Sequence, residues 1–459
     1  MTLLGTFLEI VRGWDDVFPQ ERSCRRAIRQ ALGSLVCLGR RTVSRIIWTN
    51  GGEQRSWGAE YFLHSRCQWD PQQLFAPILE QALRFCTGRY VGVAADDTRL
   101  HKTGRCIQQA FFQRDPLSPP FHVNLMYGLR FLQASVLVPL HRRSKISTRA
   151  LPIRFQEACR VKRPGRRATA EEWKWYRAAV RKYNLSQKFV TMMMDLRLAL
   201  NTAGASLKIL VMAVDGSFCN RTVFGASVDK TEVIARARKD AVLCFRAPAG
   251  SRRFYDTHKF TPESVRQDDS MPWNTTKIFY GGKRRRVRYK VVAAVYWQGG
   301  ARRRTLRLLV VAPTPYRKRK SGKLYYRLPA YLLTTDLKGH ACTLLQIYFD
   351  RWQIEVNHRE EKDTIGVGQA QLWNAVSVPK QPVLAVAAYS ALLLASLLAF
   401  GAERGTAYAP LPKWRKHAKR PSCLDLIALL RREMIEHPES TANLGLDPTS
   451  ERFTSAAAA

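Results

Sequence analysis

Eighteen successive residues without a charge, "VLAVAAYSALLLASLLAF" from Val383 to Phe400, constrain the fold more than any other stretch. A helix of that length can cross a bilayer, so it has to lie either in lipid or deep inside an apolar core. The rest of the chain is polar and offers no second segment of the kind, which favours a fully buried helix. With 459 residues, 46% of them apolar, the chain holds ample material for such a core, divided among two to four structural units. The opening residues "MTLLGTFLEIVRGWDD" lack a basic stretch followed by a long apolar one, so no signal peptide is expected.

Charge restricts the partners. Lysine and arginine number 75 against 36 acidic residues, a formal net charge of +39. A compact chain with this imbalance repels itself unless a polyanion is nearby. The cations are spread from Arg12 to Arg452, which points to a folded protein with a broad basic surface and not to a basic tail. Nucleic acid is the leading partner, with an anionic membrane surface as the weaker alternative. The ten cysteines are widely separated and form no Cys-x-x-Cys pair, which argues against structural zinc and fits reduced cytosolic thiols.

Residues 1–88 read as helical. "PQERSCRRAIRQALGSLVCLGRRTVSRIIW" gives two amphipathic runs divided near Gly39. "WDPQQLFAPILEQALRFC" gives a third, with Asp70 as N-cap and Pro71 at the first helical position. Basic helices joined by a short turn suggest a DNA-binding head, although a helical scaffold with a solvated basic face reads the same way. Strands then enter. "YVGVAAD" ends in an acid, "FHVNLMYGLRFLQASVLVPL" offers two more, and "LKILVMAVD" ends in Asp215. Between them "GRRATAEEWKWYRAAVRKYN" is a basic helix opened by a Thr169–Glu172 capping box, followed by the helix "LSQKFVTMMMDLRLAL". Residues 239–333 alternate as antiparallel strands. In "RRVRYKVVAAVYW" the alternate residues Val287, Tyr289, Val291, Ala293, Val295 and Trp297 take one side, and Arg286, Arg288 and Lys290 begin a cationic other side. Residues 334–402 return to helix, 403–459 form a basic C-terminal region, and "FTSAAAA" reads as a frayed end.

One helical stretch brings chemistry into view, "YFDRWQIEVNHREEK" from Tyr348 to Lys362. At about 100° per residue, Tyr348, Arg351, Glu355 and Lys362 share an arc of roughly 60°. Glu360 and Glu361 fall off that arc and read as solvent charges. Arg351–Glu355 also suits an ordinary i,i+4 ion pair. The strand-terminal acids Asp96 and Asp215 add weight to a functional reading, because ligand groups collect at strand ends in open α/β sheets. Three carboxylates from two strands and a helix make an oxygen-donor set for hard cations such as Mg²⁺. Two such ions about 4 Å apart can serve both oxygens of a phosphodiester displacement.

Tyr348-x₂-Arg351-x₃-Glu355-x₆-Lys362 resembles the Y-R-E-K signature of bacterial insertion-sequence DDE transposases. "DDT" at Asp96–Thr98 resembles the family's first-aspartate motif, D-x-[ST]. "AVDGSF" resembles its second, with Phe218 three positions after Asp215. The layout "LGRRTVSRIIW", "QWDPQQL", "DDT" is also similar to one branch of the family, and the resemblance extends over about residues 30 to 400. It implies an α/β fold: an RNase H-like core, a mixed sheet flanked by helices, interrupted by an antiparallel β insertion and preceded by a helical N-terminal domain. Asp96, Asp215 and Glu355 would be the catalytic, metal-binding triad for two Mg²⁺ ions, with Mn²⁺ as a substitute. Tyr348, Arg351 and Lys362 would hold transposon-end phosphates. Arg286 and Arg288 of the insertion would contact DNA, and Trp273 or Trp297 would stack an extruded base or belong to the core.

The implied partners are double-stranded DNA, as terminal inverted repeats and as target, and a second copy of the chain in the synaptic complex. No membrane is implied, and the expected location is cytoplasmic and nucleoid-associated. Two departures stand. The family often places arginine after the second aspartate, where this chain has Gly216. Asp97 is a second candidate beside Asp96, and strand parity allows only one of them to face the metals. The competing functional readings are a catalytically silent DNA-binding regulator and a general RNase H-like nuclease.

Overall fold

The computed structural model describes all residues except 55, 120, 143, 145, 320, 450–452 and 454–459. Five helices come first: α1 (Leu3–Arg12), α2 (Glu21–Val36), α3 (Val43–Thr49), α4 (Gly58–Ser65) and α5 (Ala76–Ala82). Gly39, with φ of 79°, turns the chain between α2 and α3. Asp70 accepts from Gln72 N at 2.9 Å and opens a 3₁₀ turn, Pro71–Phe75, that leads into α5. Strands β1 (Tyr90–His101), β2 (Phe111–Arg114), β3 (Leu125–Val138) and β4 (Arg149–Glu157) follow, then α6 (Ala170–Tyr183), α7 (Leu185–Thr202), β5 (Ile209–Val214), α8 (Arg221–Gly225) and β6 (Thr231–Arg236). The capping box before α6 is formed: Thr169 N donates to Glu172 at 2.7 Å and Glu172 N to Thr169 Oγ1 at 3.2 Å. "FHVNLMYGLRFLQASVLVPL" holds one long strand, β3, where two were expected, because pairing with β2 over Leu125–Gly128 passes at Gly128 directly into pairing with β1.

The next section contains β7 (Leu243–Arg246), β8 (Tyr255–Phe260), α9 (Pro262–Gln267), β9 (Asn274–Tyr280), β10 (Lys283–Tyr296), α10 (Gln298–Ala301), β11 (Thr305–Val311), β12 (Pro315–Arg317), β13 (Leu324–Tyr326) and β14 (Ala330–Thr334). The chain ends with α11 (Ala341–Asp350), α12 (Gln353–Arg359), a π turn (Glu360–Thr364), α13 (Ser377–Phe400), α14 (Cys423–Glu436) and α15 (Glu439–Ala442). Of the terminal "FTSAAAA", Phe453 is buried beneath Arg431, and the remainder lies outside the described residues.

The protein is α/β, with a 12-stranded mixed sheet flanked by helices, an arrangement compatible with an RNase H-like core. β1 runs antiparallel to β3 and parallel to β5, and β5 runs parallel to β6. Of the antiparallel strands of 239–333, β12 and β13 pair apart as a two-stranded sheet, and the others join the main one. β14 pairs with β6, and β11, β10, β7 and β8 extend the same sheet outward. The alternation expected along β10 stops at a bulge between Val292 and Val295, where Ala294 takes a φ of 52°. Lys290 lies before the bulge, in step with Arg286 and Arg288, yet it is not part of an exposed cationic face. It is buried, and its ammonium donates to the carbonyls of Val265 and Asp268 at the end of α9, at 3.0 and 2.5 Å.

The apolar run Val383–Phe400 lies in α13, whose most apolar window is 83% buried. α13 packs along β4 on one side and against α1 and α2 on the other, so protein covers it and no bilayer is required. The N-terminal helices therefore share their core with the sheet, and residue 88 marks a change of secondary structure, not a break in packing. The C-terminal region joins the same core. Glu433 of α14 accepts from Leu3 N at 3.1 Å and Leu4 N at 2.7 Å, and so caps α1 across the length of the chain.

The opposite face of the sheet is covered by α11 and α12. Gly92 of β1 lies under Ile347, and a Cβ there would come within 3.1 Å of Ile347 Cγ2. Gly92→Ala is expected to destabilise the protein by about 1–3 kcal/mol through overpacking. In an Ile347→Ala background the same change should cost close to nothing, which a double-mutant cycle in denaturant unfolding measures.

Candidate active site

The site begins with strand register. β1 and β5 pair in parallel through Ala94–Ala213, so Asp96 and Asp215 each stand two residues beyond a paired position. Asp215 leaves β5 as the cap of a 3₁₀ turn, its Oδ1 accepting from Ser217 N at 2.8 Å and Ser217 Oγ at 2.6 Å. Ala94 packs with Ile354 of α12, and Asp96, two residues on, faces the same side. Asp97 faces away, toward Arg130 Nε at 2.8 Å and Arg99 at 3.7 Å. Of the two adjacent acids, Asp96 is the one gathered with α11 and α12.

Arg351 stands between the acids. Its Nη1 lies 3.9 Å from Asp96 Oδ2 and its Nη2 lies 3.7 Å from Glu355 Oε1. These are loose ion pairs, and Nε and Nη1 of this buried guanidinium have no hydrogen-bond partner. Tyr348, one turn earlier, lies beneath Arg351 at 5.9 Å, within electrostatic reach of Asp215 and Arg236, and burial raises its pKa. Burial foremost, then the neighbouring charge of Asp215, pushes the Asp96 carboxyl up to about 7; Asp97 adds to this and Arg351 opposes it. Two carboxylates are thus held close with one guanidinium to offset them, an arrangement that favours additional positive charge.

The helix is not the uniform cylinder assumed from sequence. Ile354 N and Glu355 N bond to the carbonyls three residues back, at 3.0 and 3.1 Å, which tightens the turn after Arg351. Ile365 N bonds five residues back, to Glu360 at 2.9 Å, which widens the turn that carries Lys362. Tyr348, Arg351 and Glu355 stay with the acids. Lys362 instead comes within electrostatic reach of Asp97 and Arg99, and burial lowers its pKa.

The widened turn also corrects the expectation for Glu360 and Glu361. Glu361 is buried and accepts from Gln133 Nε2 at 2.9 Å. Glu360 accepts from Tyr389 Oη of α13 at 2.5 Å, and Asn357 donates to the same hydroxyl at 3.0 Å. These bonds fix α12 to the central helix.

Three further residues named from sequence lie apart from this cluster. Arg286 and Arg288 are exposed on β10, on the face away from α11, with Arg288 over Trp273 at 5.5 Å. Trp297 is half-buried against Gly300 and the ring of Phe224, 6.3 Å away, and packs on the core. It also lines a cavity of about 660 Å³ with Arg238 and Lys259, so one edge stays accessible.

Sequence reasoning missed Arg236. It ends β6 beside Asp215, through the Val214–Ala235 pairing, and is exposed. The available signal was a charge closing an apolar strand, the same pattern that marked Asp96 and Asp215. Comparison with known families and with curated proteins finds no match for the chain.

Among the described residues, no three acidic, histidine or cysteine side chains converge closely enough to hold an ion as they stand. The donor chemistry nevertheless suits a hard cation, since Mg²⁺ commonly uses one or two carboxylates and completes its shell with water and phosphate. Asp96 and Asp215 are the two carboxylates that could serve in this way, with Glu355 on the far side of Arg351.

Glu361 supplies a test of the packing beneath the site. Burial raises its pKa to about 8, so the protonated form is the one the fold favours. Its contribution to stability is full below the ordinary carboxylate range and is lost as pH rises toward 8, at up to about 1.4 kcal/mol per pH unit. Glu361→Gln should flatten this loss between pH 5 and 8 in denaturant titrations (~3 pH units).

Proposed function

We propose that the protein is a DDE transposase that cleaves DNA at transposon ends and joins them to a target. The observation that supports this reading best is the gathering of Asp96, Asp215, Arg351 and Glu355 on one face of the sheet. Asp96 and Asp215 would hold Mg²⁺, or Mn²⁺ in its place, with Glu355 completing the set. Bound there, the ions would supply Lewis-acid stabilisation of the phosphodiester oxygens and a more acidic water or 3′-hydroxyl.

The chain's own residues handle the DNA. Arg351, with donors left unused, would turn from the carboxylates to a phosphate of the transposon end. Tyr348 would orient that phosphate from beneath. Arg236, beside Asp215, would provide the cation that Gly216 does not. Lys362, about two turns beyond Glu355, would reach a phosphate further along the strand. A formal charge of +39 agrees with an extended polyanion as the partner. The RNase H-like assignment of the core, a dimer on paired ends and a nucleoid location belong to the same proposal.

Glu355→Gln should abolish Mg²⁺-dependent nicking of a transposon-end duplex while leaving binding intact; unaltered nicking would remove Glu355 from the triad. Because Asp96 must lose a proton to bind a cation, Mn²⁺ affinity should fall about tenfold per pH unit below about 7 and level off above it. Calorimetric titration across pH 5.5 to 8.5 measures this (a change of ~30-fold). A pH-independent affinity would exclude Asp96 as a ligand.

A further inference from the structure

The excursion between β4 and α7 has no role in the site described above, yet its position and charge are specific. β4 ends at Glu157, which aligns through Phe131 with Thr98, two residues past Asp96. The chain returns at α7, where Ser186 accepts from Asn220 at 2.9 Å and Phe189 packs on Phe218 with ring centres 4.8 Å apart. Both Asn220 and Phe218 belong to the segment that follows Asp215. Lys188 closes the base by donating to Cys159 O at 2.9 Å. The excursion therefore leaves and re-enters the fold at the edge of the sheet where the acids stand.

Residues 160–183 carry nine cations against two acids. One of those acids, Glu172, is committed to the capping box. Helix α6 has a single buried residue, Ala179. At about 100° per residue, Lys174, Arg177 and Arg181 fall on one stripe with Ala170 and Ala178, and Ala179, Tyr176 and Tyr183 lie on the opposite side. All five residues of the stripe are exposed, and none of its three cations forms an ion pair among the described residues. Long cationic side chains spaced by alanines suit a phosphate backbone, which can approach closely between them. The helix itself is stabilised locally, by its cap and by Trp173 under Arg163 at 5.4 Å with Tyr176 beside it.

We infer that α6 is a DNA-holding arm whose Lys174–Arg177–Arg181 stripe binds the phosphate backbone of the duplex next to the bond being cut. The inference rests on the nucleic-acid reading above and gives that reading a surface. The arm touches phosphates without reading bases, so it adds affinity and position irrespective of sequence.

The test is a triple variant, Lys174→Gln, Arg177→Gln, Arg181→Gln, which leaves the capping box and Ala179 intact. A charge-preserving control exchanges lysine and arginine at the same positions. Duplex binding by the full chain is followed by fluorescence anisotropy across a salt series. The slope of log K against log salt should become shallower by about 2–3, near 0.9 for each phosphate no longer neutralised, and the control should retain the wild-type slope. An unchanged slope in the triple variant, with wild-type protein still cutting DNA, overturns the arm and spares the transposase reading. A reduced slope in a protein that never cuts supports the arm and overturns that reading. Loss of binding to anionic phospholipid vesicles, with duplex binding unchanged, also overturns the arm.

Discussion

The candidate site depends on one register, the parallel pairing of β1 with β5 through Ala94 and Ala213. It brings two carboxylates together in a partly desolvated place and so raises the proton affinity of Asp96. A slip of one residue would direct Asp97 to that face and take Asp96 from it. The register is held from both sides. Val91, Val93 and Ala95 pack into the main core, while Gly92 and Ala94 admit Ile347 and Ile354 from the helices above. Burial of small and branched residues thus determines the direction of a charge that contributes little to packing.

Arg351 and the helix break around it follow from that electrostatic demand. A guanidinium between Asp96 and Glu355 offsets some of the acid charge without close hydrogen bonds, and so remains able to change partners. The tight turn after Arg351 and the wide turn at Glu360–Thr364 keep Glu355 at the site while turning Glu361 inward to Gln133. Tyr389 of α13 then ties the helix to the most apolar element of the chain through Glu360 and Asn357. The site is accordingly anchored from below by the central helix.

The fold joins parts that the sequence divides. β14 pairs with β6, so the antiparallel section continues the main sheet. Glu433 caps α1, so the two ends of the chain stabilise each other. Such long-range pairings leave no periodic trace, because each partner satisfies its own local pattern equally well in isolation. Lys290 shows the limit clearly. Its place in the alternation suggested an exposed cation, and only the C-terminal carbonyls of α9 explain a buried one.

By itself the sequence determined the helical start, the capping box at Thr169, a buried helix around Val383–Phe400, and Asp96, Asp215 and Glu355 as acids of interest. These features are local: caps, turns, uncharged length, and charges that close apolar runs. Tertiary structure decided that Asp96 and not Asp97 faces the helix, that Arg236 stands beside Asp215, that Glu361 is buried, and that Trp297 packs on the core. Each of these depends on which strand or helix lies opposite. That is set by long-range packing, which a local pattern restricts without fixing.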